Sequence, residues 1–113
     1  MSQLPQMVHE EQIQKSVYPD RWSKDLIGGD PIPTTSGFNI GVAEYHTTEF
    51  GPLQTHDDQE AVYVVSGVGK IRLGDEVHEI RPGSAVYIPP GTKHATRRTS
   101  EIPVKVVYAH GAV

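Results

Sequence analysis

Between Gly83 and His94 the chain reads Gly-Ser-Ala-Val-Tyr-Ile-Pro-Pro-Gly-Thr-Lys-His. Two adjacent prolines fix φ and remove two backbone donors, and Gly91 can take whatever angle a tight turn needs. The segment therefore reads as a β-strand over Ala85–Ile88 that runs into a rigid turn and delivers one histidine just beyond it. An earlier stretch, Gln54-Thr55-His56-Asp57-Asp58-Gln59-Glu60, leads into the β-branched and aromatic run Ala61–Val65 and carries further side chains able to bind a metal.

The rest of the chain repeats this grammar. Phe38, Ile40 and Val42 alternate with Asn39, Gly41 and Ala43, a period of two that marks a half-buried strand. Lys70–Leu73 alternates and meets a hairpin turn at Gly74-Asp75. Val77 and Ile80 are apolar but out of phase for one strand face. Ile102, Val104, Val106 and Tyr108 alternate in a final strand. At least six short strands at regular spacing, with eleven glycines and nine prolines, point to an all-β sandwich or barrel.

The 113 residues suit one domain. Residues 1–37 lack periodicity and are rich in turns, and we read them as an ordered arm lying on a barrel formed by residues 38–113. With no cysteine, disulfides, thiolate metal sites and cysteine nucleophiles are excluded. The formal charge of −4, with Arg97-Arg98 the only basic pair, disfavours a nucleic-acid surface. No segment approaches a membrane span and the first residues lack a basic-then-apolar leader, so a cytoplasmic location is expected.

Side chains two apart on a strand face the same way, so Gln54 and His56 point together. A turn through Asp57-Asp58 lets Glu60 open the next strand facing back at them. Val62 and Val64 share its face, and a carboxylate on an apolar face is costly unless paired or metal-bound. His94 joins from the second segment. Two imidazoles with carboxylate and amide oxygens suit Fe, Ni, Cu, Zn or Mn, and two histidines with one carboxylate leave positions open for substrate. His9, His78 and His110 are expected to face solvent, and Asp57-Asp58 to be a turn pair only.

Around these residues, Glu44 and His46 extend the Phe38-Ile40-Val42 face as a possible acid–base pair. Thr96 and Arg98 share the face of His94, where Arg98 would neutralise an anionic substrate or end in solvent. Tyr108 belongs to the core, with a hydroxyl within reach of a pocket as donor or general acid. Trp22 either lids the barrel mouth or pins the arm.

In its spacings the chain resembles the cupin superfamily of small jelly-roll, or double-stranded β-helix, barrels. Gly83, Pro89, Gly91 and His94 match that family's second motif, with Arg98 at the place of its asparagine. His56, Glu60 and Gly67 match the first, with Gln54 in place of its first histidine and Thr48 in place of its leading glycine. The resemblance covers roughly residues 38–110. It implies one divalent transition metal held by Gln54, His56, Glu60 and His94. A metal-dependent enzyme acting on a small polar molecule by isomerisation, cyclisation, elimination or dioxygenation is one expectation; a non-catalytic small-ligand module is the other. A homodimer through outward residues such as Tyr63 and Val65 is a third expectation.

Overall fold

The structure is a computed structural model and describes residues 4–113. Among these, one 3-10 turn at Glu10–Gln12 precedes nine strands: β1 (Ser16–Val17), β2 (Arg21–Ile27), β3 (Asn39–Tyr45), β4 (Gln59–Ser66), β5 (Gly69–Leu73), β6 (Glu76–Ile80), β7 (Ala85–Ile88), β8 (His94–Arg98) and β9 (Val104–Gly111). Every pairing is antiparallel. Six strands form one sheet in the order β1-β2-β3-β9-β4-β7, and three form a second in the order β6-β5-β8. This is the all-β jelly roll read from the sequence. No helix is long and apolar enough to cross a membrane among the described residues.

Alternation in β4 and β9 builds the core. Val62 and Val64 of β4 and Val104, Val106 and Tyr108 of β9 turn inward and meet Ala43, Ile71, Ile80 and Ile88. Their outward neighbours Ala61, Tyr63 and Val65 stay exposed. The two out-of-phase residues of β6 part company, Ile80 entering the core and Val77 facing out.

The phase of β3 differs from the sequence expectation. Gly41 pairs with Tyr108, Ala43 with Val106 and Tyr45 with Val104, so the small residues face inward and Ile40, Val42 and Glu44 face out. Gly41 is required here, since a β-carbon on it would overlap the ring end of Tyr108. Val42 is nonetheless buried. Its neighbour Lys24 in β2, together with Lys105 in β9, reaches Glu10 and holds the N-terminal turn across that outer face. The Lys105 hydrogen bond is the main influence holding the Glu10 carboxyl below its usual range, against a smaller opposing effect of burial.

The segment read as an arm thus supplies two strands of the larger sheet. β2 pairs along β3 from Arg21 opposite Tyr45 to Ile27 opposite Ile40. Arg-Trp-Ser-Lys-Asp carries almost no apolar alternation, so the sequence alone gives no strand signal there.

Candidate metal centre

The two ligand-bearing segments meet because their backbones pair. Gln54 and His94 form an isolated antiparallel bridge, with Gln54 N donating to His94 O at 2.8 Å and His94 N donating to Gln54 O at 2.9 Å. Gly91, in the turn after β7, donates its N–H to His56 O at 2.8 Å. β4 then starts beside β7, with Glu60 opposite Ile88. The Pro89-Pro90-Gly91 turn is therefore one wall of the site, and it fixes where His94 enters.

Glu60 sits at the centre. Its Oε1 lies 3.0 Å from His56 Nε2 and 3.5 Å from His94 Nε2, and its Oε2 lies 3.6 Å from His110 Nε2. One donor atom from each of His56, Glu60 and His94 falls within 4.8 Å of the other two. The Glu60 and His94 side chains are nearly enclosed, at 11% and 6% exposure, whereas His56 is at 27%. His94 Nδ1 lies 2.9 Å from the Thr92 carbonyl, an acceptor only. That contact places the ring proton on Nδ1 and leaves the Nε2 lone pair facing Glu60. Two imidazole nitrogens and a carboxylate, converging on one point, fit a divalent transition metal by donor chemistry.

Two expectations are corrected. His110 does not face solvent: β9 continues in phase from Val104, Val106 and Tyr108, and pairing with Asn39 turns His110 into the site. Asp58 is more than a turn residue. Its Oδ2 accepts from His110 Nδ1 at 3.0 Å, and its Oδ1 lies against His56 Nδ1 at 2.5 Å without hydrogen-bond alignment. Burial would raise the Asp58 carboxyl; the hydrogen bond from His110, helped by His56, holds it below its usual range instead. The signal for His110 was present in the alternation of the last strand, one step beyond Tyr108.

The remaining candidates divide. Gln54 reaches the pocket, but its amide oxygen accepts from Arg21 Nη2 at 3.1 Å. Tyr108 also lines the pocket and donates to Asp25 Oδ1 at 2.5 Å. Its hydroxyl is pushed well above the usual phenol range, first by burial and then by Asp25. Thr96 is buried on the face of His94. Arg98 turns to the backbone, donating from Nε to His46 O at 2.8 Å and from Nη1 to Ser100 O at 2.9 Å. Glu44 lies on the outer face of β3, and His46 is exposed beyond its end, so neither joins the pocket. Trp22 stands on the outer face of β2 with the ammonium groups of Lys15 and Lys24 at 4.8 and 5.6 Å from its ring. His9 and His78 are exposed, as expected.

The pocket in front of the cluster is a polar cleft of about 180 Å³. Its far wall comes from the N-terminal strands: Arg21, Ser23 and Asp25, with Tyr18 below the Arg21 guanidinium at 4.2 Å. Arg21 is held from behind by Asp20, a 2%-exposed carboxylate whose Oδ1 accepts at 3.0 Å. Tyr45 stands between these groups, and burial, offset in part by Arg21, pushes its phenol up to about 12. Arg21 carries no signal in the sequence because β2, which brings it to the cleft, lacks apolar alternation.

The cupin domain model matches residues 41–110, more than half of the chain, and the protein belongs to the cupin family. The chain is 28% identical over 101 residues to an L-ectoine synthase from Hahella chejuensis, covering 86% of this chain and 74% of the synthase. It is 33% identical over 78 residues to protein SchB of Streptomyces halstedii, covering 68% and 56%. The chain spans about half the length of three of the curated relatives it matches. The polyketide cyclase RemF from Streptomyces resistomycificus shares the fold, with a TM-score of 0.75 over 95% of this chain and 80% of RemF at 21% identity.

Proposed function

We propose that this cupin holds one divalent transition metal at His56, Glu60 and His94 and acts as an enzyme on a small polar substrate bearing a carboxylate. The observation that carries the reading is the approach of two imidazole Nε2 atoms, from two separate segments, to one oxygen of an enclosed carboxylate at the end of a polar cleft. Fe, Mn, Ni, Zn and Cu all suit these donors, and the bound ion would supply Lewis acidity to a carbonyl or carboxylate oxygen. Gln54 is assigned to the pocket wall rather than to the metal, because Arg21 occupies its amide oxygen.

The chain's own groups then have distinct tasks. Arg21, steadied by Asp20 and Gln54, offers its remaining N–H groups to the substrate carboxylate. Tyr45 and Tyr108 keep their protons at neutral pH, since both phenols are pushed up, and serve as hydrogen-bond donors rather than bases. Two relatives named as a synthase and a polyketide cyclase favour ring closure or elimination over the other reactions open to a metal with proton-transfer groups.

Malonate is a suitable probe of this reading. It should bind the metal-loaded protein, and Arg21→Gln should weaken that binding about tenfold or more by calorimetry, as expected for a charge-assisted hydrogen bond. Equal malonate affinity in both proteins would remove Arg21 from the substrate site.

On the opposite side of the larger sheet, Tyr63 and Tyr87 flank a shallow apolar surface floored by Ala61, Ala85, Val107 and Ala109. We assign this face to a second copy of the chain, the homodimer expected from the sequence. A Tyr63→Glu/Tyr87→Glu variant should sediment as a monomer where the parent sediments as a dimer. A parent that sediments as a monomer removes this assignment.

A further inference from the structure

We propose that His110, from the last strand, is the fourth protein donor of the metal centre and supplies the imidazole that is missing at Gln54. This rests on the metal reading above and extends it to a residue outside both sequence motifs.

Three observations carry it. First, three imidazoles surround the Glu60 carboxylate and each presents Nε2. His56 and His94 approach Oε1 at 3.0 and 3.5 Å, and His110 approaches Oε2 at 3.6 Å. Second, His110 is braced as a ligand is. Its Nδ1 bonds Asp58 Oδ2 at 3.0 Å, which leaves the Nε2 lone pair directed at the centre. The same carboxylate touches His56 Nδ1 through its other oxygen, so one side chain orients two rings. Their centroids are 4.8 Å apart, close to the 5.1 Å between His56 and His94. Third, the obvious alternative is engaged elsewhere, because Gln54 Oε1 accepts from Arg21.

The strand geometry explains how the exchange of donors is possible. His110 lies opposite Glu60 in the β4–β9 ladder, so the two side chains share the inner face at one level. Asn39 fixes the end of β9 by accepting from His110 N at 3.1 Å. An imidazole from β9 thereby reaches the carboxylate that His56 and His94 also approach.

The test uses metal-stripped protein titrated with Cu²⁺, followed by calorimetry and electron paramagnetic resonance. The parent should show coupling to three nitrogens. His110→Ala and His110→Gln should each weaken Cu²⁺ binding by more than about 100-fold, beyond the loss expected of a residue that only orients a ligand, and lose one nitrogen coupling, whereas Gln54→Ala should keep all three. Asp58→Asn should weaken binding while keeping the nitrogen count. Circular dichroism on each variant reports the fold, and the glutamine variant covers the case in which alanine unfolds the strand end. A parent that binds Cu²⁺ with only two nitrogens, or His110 variants with parental affinity and spectrum, overturns the assignment of His110 while leaving the His56–Glu60–His94 site standing. A parent that binds no metal overturns both.

Discussion

His94→Ala and His56→Ala should each reduce metal affinity by more than about 100-fold, beyond the 10- to 100-fold typical of residues that only orient a ligand. Both variants should remain folded, because neither histidine belongs to the apolar cluster that joins the two sheets. His94 is the more buried, so His94→Gln serves as a companion that fills the space. Calorimetric titration with Zn²⁺ or Mn²⁺ measures the affinity, and far-UV circular dichroism measures the fold. Parental affinity in folded variants of both positions would remove the two histidines from the centre. Glu60→Gln should be equally damaging, since it takes the charge from the group that all three imidazoles approach.

The second large effect is on stability and falls at a motif glycine. Gly67 has φ +80°, and a β-carbon there would overlap the Pro103 carbonyl, which is backbone and cannot swing away. Gly67→Ala therefore meets both the left-handed backbone penalty and a collision, together about 2–5 kcal/mol. A fall in Tm of about 10 °C or more is expected. Gly91, also at positive φ, has open space around it, so Gly91→Ala should cost only about 1–2 kcal/mol. If the two variants melt alike, the Pro103 contact is not what demands glycine at position 67. The result bears on the site, because Gly67 closes β4 while Glu60 lies near its start.

These two predictions rest on different parts of the sequence reading. The strands that carry Glu60 and Tyr108 were legible because their inward residues are β-branched or aromatic and their period is two, whereas His94 was legible only as the residue delivered by the Pro89-Pro90-Gly91 turn. The meeting of residues 54–56 with 91–94 was legible only through motif spacing. Alternation says which way a side chain points, but not which strand lies beside it.

The phase of β3 was misread for a physical reason. Hydrophobicity placed Ile40 and Val42 inside, yet the inner side of this strand needs small residues to admit Tyr108. The apolar residues are covered instead by the N-terminal turn, which Lys24 and Lys105 tie down through Glu10. Glu44 and His46 were carried outward with that phase.

The substrate-side wall was the least legible. β2 is a polar strand whose pairing with β3 is set by tertiary contact, and it brings Arg21 to the cleft where Arg98 was expected. Arg98 had the right spacing from His94, but nearby backbone carbonyls at His46 and Ser100 satisfy its guanidinium first. His110 lay in plain alternation with Tyr108, while the role of Asp58 depends on two rings that come from distant positions in the chain.

The central claim, that these residues enclose a metal, is tested most directly by a crystal structure of the metal-loaded protein with anomalous diffraction at the metal's absorption edge. The account predicts one strong anomalous peak bonded to His56 Nε2, Glu60 and His94 Nε2 at the cleft's inner end. A loaded crystal with its peak elsewhere, or with no peak between those side chains, would contradict it.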